Sequence, residues 1–90
     1  MSIVAKFEVS GMNTTKYDQI LHRLAEAGLG APDGRAYHIA YGDVRSLQVI
    51  DVFESQAKLE AFGAKLMPIL QEFGVEAKPE VAEIHNIIKA

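Results

Sequence analysis

Hydrophobic and polar residues alternate along four short segments of the chain, and two longer segments repeat hydrophobic residues at helical spacing. The alternating segments are rich in β-branched and aromatic residues, which predicts strands. These predicted strands are Ile3 to Val9, Ala36 to Tyr41, Leu47 to Ser55 and Val81 to Ile88. Because the segment from Leu47 to Ser55 is apolar on both of its faces, we expect each face to be covered.

The two segments with helical spacing, residues 13–28 and 55–74, predict amphipathic helices with Ser, Thr or Asn at their N-caps. Gly63 lies on the apolar stripe of the second helix, where we expect it to allow a close approach to a sheet. Pro68 has no backbone N–H, which predicts a kink or a break into a long and a short helix.

The order of the predicted elements is βαββαβ, which indicates an α+β, ferredoxin-like fold in a single domain over residues 1–90. Such a fold carries two helices on one face of a four-stranded antiparallel sheet. The opposite face would expose one parity of each strand, yet both parities are largely apolar. We therefore expect two copies to pack sheet against sheet in a homodimer that encloses a shared core or cavity.

The composition agrees with a homodimer, since 49% of the 90 residues are hydrophobic, a high share for a small monomer. Twelve acidic and nine basic residues give a net charge of −3 without a basic cluster, so we expect neither nucleic acid nor membrane as a partner. The absence of cysteine excludes thiolate nucleophiles and zinc–thiolate sites. No export signal and no membrane-spanning run are visible, which predicts a cytoplasmic protein.

Asp51 is the first candidate for chemistry, because it is a carboxylate on an otherwise apolar face of its strand. Desolvation raises the pKa of such a group and can make it a general base near neutral pH, whereas a nearby cation or donor lowers the pKa. The alternative interpretation is structural: Asp51 bonds a side chain of a neighbouring strand or lies at the rim of the dimer.

Histidines could extend such a site. His38 lies in the strand that should pair with the strand of Asp51, where it could relay a proton or serve as a packed core residue. His85 and Asn86 point to opposite faces of the last predicted strand, so at most one of them shares the face of Asp51. His38, Asp51 and His85 form a legitimate ligand set, but their spacing matches no metal motif, so we expect no metal.

The segment Val49 to Ser55, followed by Phe62 in the next helix, resembles the dimeric α/β-barrel superfamily, and most closely its small antibiotic-biosynthesis-monooxygenase-like members. This superfamily includes cofactor-free oxygenases of phenolic polyketides, haem-degrading oxygenases and lactone isomerases. The resemblance covers essentially the whole chain. It implies that the residue at the position of Phe53 lines a pocket within the barrel or between the helices and the sheet.

Three departures from the haem-degrading members argue against haem and leave no cofactor expected. Those members resemble this strand with tryptophan where Phe53 stands, they carry a histidine in the following helix where Phe62 to Ala64 stand, and they have an asparagine near Lys6 and Phe7. Monooxygenase-like relatives often carry a histidine in the same helix, and this chain has none there.

Two hypotheses of different class follow. The first is a cofactor-independent monooxygenase or isomerase for an aromatic or enolisable small molecule, with Asp51 as base and His38 or His85 as proton relay. The second is a non-catalytic homodimer that binds an apolar ligand. In either case the expected ligand contacts are Phe53, Tyr41, Phe62 and Asn86. Tyr41, like Tyr17 and Tyr37, suits a ring-shaped ligand and a protein interface equally well.

Overall fold

The structure, a computed structural model, describes residues 2–89. Met1 and Ala90, the two ends of the predicted domain, lie outside the described residues. Along the chain the elements are β1 (Ile3–Ser10), α1 (Thr14–Glu26), β2 (Arg35–Asp43), β3 (Ser46–Phe53), α2 (Gln56–Glu72) and β4 (Glu76–Glu83). The predicted element order is therefore confirmed.

The strands form one antiparallel sheet in the order β2-β3-β1-β4, so β1 and β3 are central and β2 and β4 are edges. Buried apolar residues of both helices pack with buried residues of β1 and β3 in a single core. Four antiparallel strands with two helices on one face confirm the ferredoxin-like fold.

The predicted position of the last strand is wrong by several residues, because β4 covers Glu76–Glu83 and residues 84–89 form no strand. The predicted strand begins at Val81, two residues after Pro79, but Pro79 lies within β4 and pairs with Phe7. An edge strand can hold a proline because the N–H that proline lacks can face away from the neighbouring strand.

Helix α2 begins after Ser55, whose hydroxyl accepts a hydrogen bond from the backbone N–H of Lys58 at 3.2 Å. It continues through Pro68 to Glu72 as one helix, so of the kink or break expected at Pro68 the break does not occur. Ile69 and Leu70, just after the proline, are buried in the core, and their packing holds the last turn in place. Among residues 2–89 no helix is long and apolar enough to cross a membrane.

The two faces of the sheet differ in what lies on them. We call the face under the helices the covered face; it carries alternate residues of β1 and β3, including Ile3, Ala5, Val9, Leu47 and Phe53. We call the opposite face the open face; it carries the residues of the other parity, including Val4, Lys6, Ile39, Ile50 and Val52. Among residues 2–89 no helix or strand covers the open face, although the C-terminal segment, residues 84–89, lies along part of it.

Candidate active site

Asp51 lies on the covered face in the middle of β3, where its side chain is only 4% exposed. It is the one buried charged residue among residues 2–89. The antiparallel register of β2 and β3 places His38 directly opposite Asp51. Residues that are opposite in an antiparallel pair share a face and are in reach of each other. The pairing of β2 with β3 therefore places the imidazole of His38 beside the buried carboxylate of Asp51.

Asp51, His38 and Tyr17 form a chain of hydrogen bonds across the interface between sheet and helix. The Nδ1 of His38 lies 2.5 Å from Oδ1 of Asp51, and the Nε2 of His38 lies 2.7 Å from the hydroxyl oxygen of Tyr17. Because an ionised carboxylate only accepts, the Nδ1–H of His38 donates to Asp51. In the neutral imidazole Nε2 is then the acceptor, and the hydroxyl of Tyr17 donates to it.

These hydrogen bonds run from a carboxylate to an imidazole to a hydroxyl. The same order of groups activates hydroxyls in nucleophilic and acid–base catalysis. In such an arrangement the hydrogen bond from Nδ1 of His38 to Asp51 fixes the tautomer and orientation of the imidazole, and the carboxylate would stabilise an imidazolium if Nε2 took up a proton. Residues 2–89 leave no buried side-chain nitrogen or oxygen without a hydrogen-bond partner, so the arrangement is satisfied as it stands.

Tyr17 reaches this position from α1 and lies half-buried with its ring parallel to that of His38, at 4° between the planes and 6.0 Å between centroids. Burial raises the pKa of the Tyr17 hydroxyl above its ordinary value of 10.0; the positive charge of Arg35 opposes this rise, and the negative charge of Asp51 adds to it. The hydroxyl therefore keeps its proton at neutral pH and remains the donor to His38.

A cavity of about 60 Å³ lies between the helices and the covered face. Its walls are apolar residues of α1, α2, β1, β3 and the segments beside them, with Phe62 among them. The polar side chains that the structure places in the lining are Tyr17, Arg35, His38 and Asp51. An apolar pocket with a few convergent polar groups is the usual form of a small-molecule site.

The residues expected from the sequence divide into those that meet at this cavity and those that do not. Asp51, His38 and Phe62 line it. Phe53 is fully buried and packs its ring on that of Phe62 at 6.0 Å between centroids, so it supports the wall from behind. His85 is exposed and follows the end of β4.

The other two expected ligand contacts also lie away from the cavity. Tyr41 faces a shallow depression on the open face, beside Lys6, Gln48 and Glu80. Asn86 belongs to the C-terminal segment that lies along the open face. Tyr41 lies on the open face because of its parity in β2, and Asn86 lies there because β4 ends before it. Neither residue therefore contacts a molecule held by His38 and Asp51 on the covered face.

Sequence reasoning missed Tyr17 and Arg35 as members of this site. Tyr17 belongs to the apolar stripe of α1, and that stripe packs on the covered face, which also carries Asp51. This shared position is the signal in the sequence that places the Tyr17 hydroxyl near Asp51. Arg35 had no comparable signal, because strict alternation in β2 puts it on the face opposite His38.

The three residues considered as a ligand set from the sequence do not meet in the structure. Within residues 2–89, no three side chains of His, Cys, Asp or Glu come together as metal ligands would. His38 and Asp51 are adjacent, but the third residue of the ligand set considered from the sequence, His85, lies elsewhere.

Solved structures with the same fold are found among antibiotic-biosynthesis-monooxygenase-like proteins. SnoaB from Streptomyces nogalater, a cofactor-independent oxygenase, superposes with a TM-score of 0.65 at 14% identity, over 99% of this chain and 96% of that one. A Deinococcus radiodurans protein whose proposed identity is an antibiotic biosynthesis monooxygenase gives 0.63 at 16% identity, over 100% and 98%. A Nitrosomonas europaea protein of unknown function gives 0.58 at 16%, over 99% and 92%.

These likenesses confirm the resemblance to antibiotic-biosynthesis-monooxygenase-like proteins at the level of the fold. At such identities the fold is what they establish. No protein-family profile matches the chain, and no curated protein matches it significantly.

Proposed function

We propose that this protein is a cofactor-independent monooxygenase or isomerase that removes a proton from a compact aromatic or enolisable molecule held in the cavity. The observation that carries this proposal is the hydrogen-bonded chain Tyr17–His38–Asp51 at the wall of an apolar cavity. The fold it shares with SnoaB, itself described as a cofactor-independent oxygenase, supports the same chemistry.

His38 is the proton acceptor in this proposal. A phenol, enol or activated C–H of the substrate gives its proton to the hydroxyl oxygen of Tyr17 while the hydroxyl proton moves to Nε2 of His38. The products are a substrate anion and an imidazolium paired with Asp51. The role of base, expected for Asp51 from the sequence, thus passes to His38, and Asp51 becomes a positioning residue.

The substrate anion has two fates that separate the two reactions. In an isomerase, His38 returns the proton through Tyr17 to a different atom of the substrate. In a monooxygenase, the anion adds O₂ to give a peroxide anion, which takes the proton back from the imidazolium and becomes a hydroperoxide. The hydroperoxide then loses water to leave a carbonyl where a CH₂ or its aromatic CH equivalent stood. One oxygen atom of O₂ enters the product and the other leaves as water, so the reaction needs no further reductant.

The test is a screen of single-ring phenols and quinols, beginning with catechol and hydroquinone. Oxygen uptake and product mass detect the oxygenase, and deuterium exchange from solvent into the probe, followed by NMR, detects the isomerase step. We expect His38→Gln to lower either rate by about 10²–10⁴-fold, the usual contribution of a general base. Asp51→Asn should also lower it strongly, because the amide no longer holds the Nδ1–H tautomer.

His22→Gln is the matched control, because His22 lies on the outer side of α1 with 80% of its side chain exposed. It should react at the wild-type rate. If His38→Gln and Asp51→Asn turned over as fast as wild type, the assignment of this chain as a proton relay would be wrong. Binding of the probes without exchange or oxygen uptake would favour the alternative function, a non-catalytic module for an apolar ligand.

We also propose that the protein is a homodimer joined through the open face. Tyr37, Ile39, Ile50 and Val52 form an apolar half of this face, and the C-terminal segment adds Ile84, Ile87 and Ile88 beside it. Ile39 is 51% and Ile88 is 87% exposed in the single chain. A contiguous apolar patch of this kind is typical of an interface between protein chains.

Light scattering coupled to gel filtration tests the dimer. We expect the wild-type mass to be that of two chains at micromolar concentration and Ile39→Lys to elute as a monomer, because a lysine there would bring two charges into the apolar half of the interface. Val44→Lys is the control, since Val44 is 64% exposed in the β2–β3 turn. A wild-type protein that elutes as a monomer would contradict the proposal.

A further inference from the structure

We infer that Arg35 is the anion-binding residue of the cavity, and that the substrate is a single ring whose ionised oxygen lies against the Arg35 guanidinium. This inference rests on the proposed function, because the proton relay creates the negative oxygen that Arg35 would bind. It is supported by the backbone of β2, by the surroundings of the guanidinium and by the size of the cavity.

An irregularity in β2 directs Arg35 to the covered face. The β2–β3 register runs regularly from Asp43 to Tyr37, which pairs with Val52, and then shifts so that Arg35 pairs with Phe53. Ala36 is the extra residue of this bulge. In a regular strand Arg35 would share the open face with Tyr37, whereas the shift gives it the face of Phe53. Bulges re-aim side chains in this way beside active sites.

Two contacts hold the guanidinium at the cavity. One terminal nitrogen of Arg35 donates to the backbone oxygen of Gly30 at 3.2 Å, and the Cζ atom lies 5.9 Å from the centroid of the Phe62 ring. A guanidinium over an aromatic ring is attracted by the negative face of the ring. The side chain is thereby oriented while most of its five N–H donors remain available.

Arg35 has no carboxylate partner among residues 2–89, since none of the ion pairs in that range includes it. It is also the one arginine or lysine in the described lining of the cavity. Arg35 and Tyr17 both line the cavity, and the charge of Arg35 acts on the Tyr17 hydroxyl, because it opposes the rise in the pKa of that hydroxyl. A substrate oxygen placed between Tyr17 and Arg35 would therefore lose its proton next to a positive charge.

The size of the cavity limits the substrate. Its volume of about 60 Å³ is smaller than the ~150 Å³ apolar cavity known to hold benzene. A single ring already exceeds this volume, so part of it would extend out of the cavity toward Arg35, which is half-buried and lies where the cavity opens to solvent. A polycyclic substrate would have to displace the helices.

The experiment uses 4-nitrophenol, a single-ring phenol whose phenolate is coloured, and measures the pKa of the bound probe by absorbance titration. We expect wild type to lower the pKa of the bound probe by about one unit, a tenfold preference for the phenolate. Arg35→Met should abolish most of this shift, and Arg35→Lys should keep part of it, because it retains the charge without the planar fork. Arg45→Met, which removes one positive charge from the exposed β2–β3 turn, is the control and should behave as wild type.

The outcomes separate this inference from the proposed function. A phenolate preference that survives Arg35→Met but is lost in His38→Gln would assign the effect to the imidazole and overturn the inference, while the proton relay would stand. An Arg35-dependent preference in a protein that catalyses neither exchange nor oxygen uptake would support the anion site and contradict the enzyme. Failure of 4-nitrophenol to bind, or tighter binding of 1-naphthol than of phenol, would contradict the single-ring substrate. Circular dichroism of each variant confirms that it is folded.

Discussion

Both faces of the sheet carry apolar residues, but these residues lie in different surroundings. The covered face holds its apolar residues under two helices and admits a single buried acid, Asp51, which is bonded to His38. The open face exposes Ile39 and Tyr37 and places its charged residues, Lys6 and Glu80 among them, in a separate half. A buried polar group is stable when its partners are built into the fold, as on the covered face.

This difference assigns the candidate ligand site to the covered face and the proposed dimer interface to the open face. The covered face has polar groups that face one another across a cavity, so it can bind and polarise a small molecule. The open face has exposed apolar residues that no helix of the described chain covers, which is the basis of the proposed dimer. The edge strand β2 serves both, since His38 lies on one side of it and Ile39 on the other.

Loss of an aromatic ring from the covered face gives the largest expected effect on stability. Phe53 is fully buried, so Phe53→Ala should lower the free energy of unfolding by about 3–5 kcal/mol. Ile39→Ala on the open face should lower it by less than about 1 kcal/mol when measured at a dilution where the protein is monomeric. Urea unfolding followed by circular dichroism measures both values. Equal losses would contradict the assignment of the two faces.

Alkaline pH should distinguish Tyr17 from its replacement by phenylalanine. The pKa of Tyr17 is raised in the folded protein, so the folded state holds its proton more tightly than the unfolded chain. The resulting stability is present below about pH 10, the unfolded pKa, and is lost as the pH rises through the folded pKa. Wild type should therefore lose stability more steeply above pH 10 than Tyr17→Phe. Identical alkaline slopes would show that the hydroxyl is not held in the fold.

The smallest expected effect on the free energy of unfolding tests how closely α2 packs on the sheet. No atom outside α2 lies within 4 Å of a Cβ built on Gly63, so the close approach to the sheet expected from the sequence is not observed. Gly63→Ala should then raise the free energy of unfolding by about 0.5–1 kcal/mol, because alanine restricts the unfolded chain and favours the helix. Thermal unfolding provides the measurement. Destabilisation by this substitution would mean that α2 packs more closely than the structure shows.

Local patterns were enough to predict the fold and the pairing of His38 with Asp51. Alternation in the two middle strands, joined by a short connection, places these residues opposite each other whenever the hairpin is in register. The end of the last strand was misplaced because Pro79 looks like a loop residue unless one knows that β4 is an edge. That single error put His85 and Asn86 on the sheet.

The remaining members of the site depend on facts that a local pattern does not contain. The hydroxyl of Tyr17 meets His38 only through the placement of α1 on the covered face, which is a long-range packing result. Arg35 faces the cavity only because of the bulge at Ala36. One extra residue moves the residue before it to the opposite face from the one that strict alternation predicts.

The bulge has an evolutionary consequence. An insertion of one codon in an edge strand moves the side chains before it to the opposite face of the sheet. The paired residues after it, here Tyr37 to Asp43, keep their register. The residue at the cavity mouth can thus be exchanged for its neighbour by a single insertion or deletion, without altering the His38–Asp51 pair. Related genes could diverge in substrate charge through length changes at this point while every core position is retained.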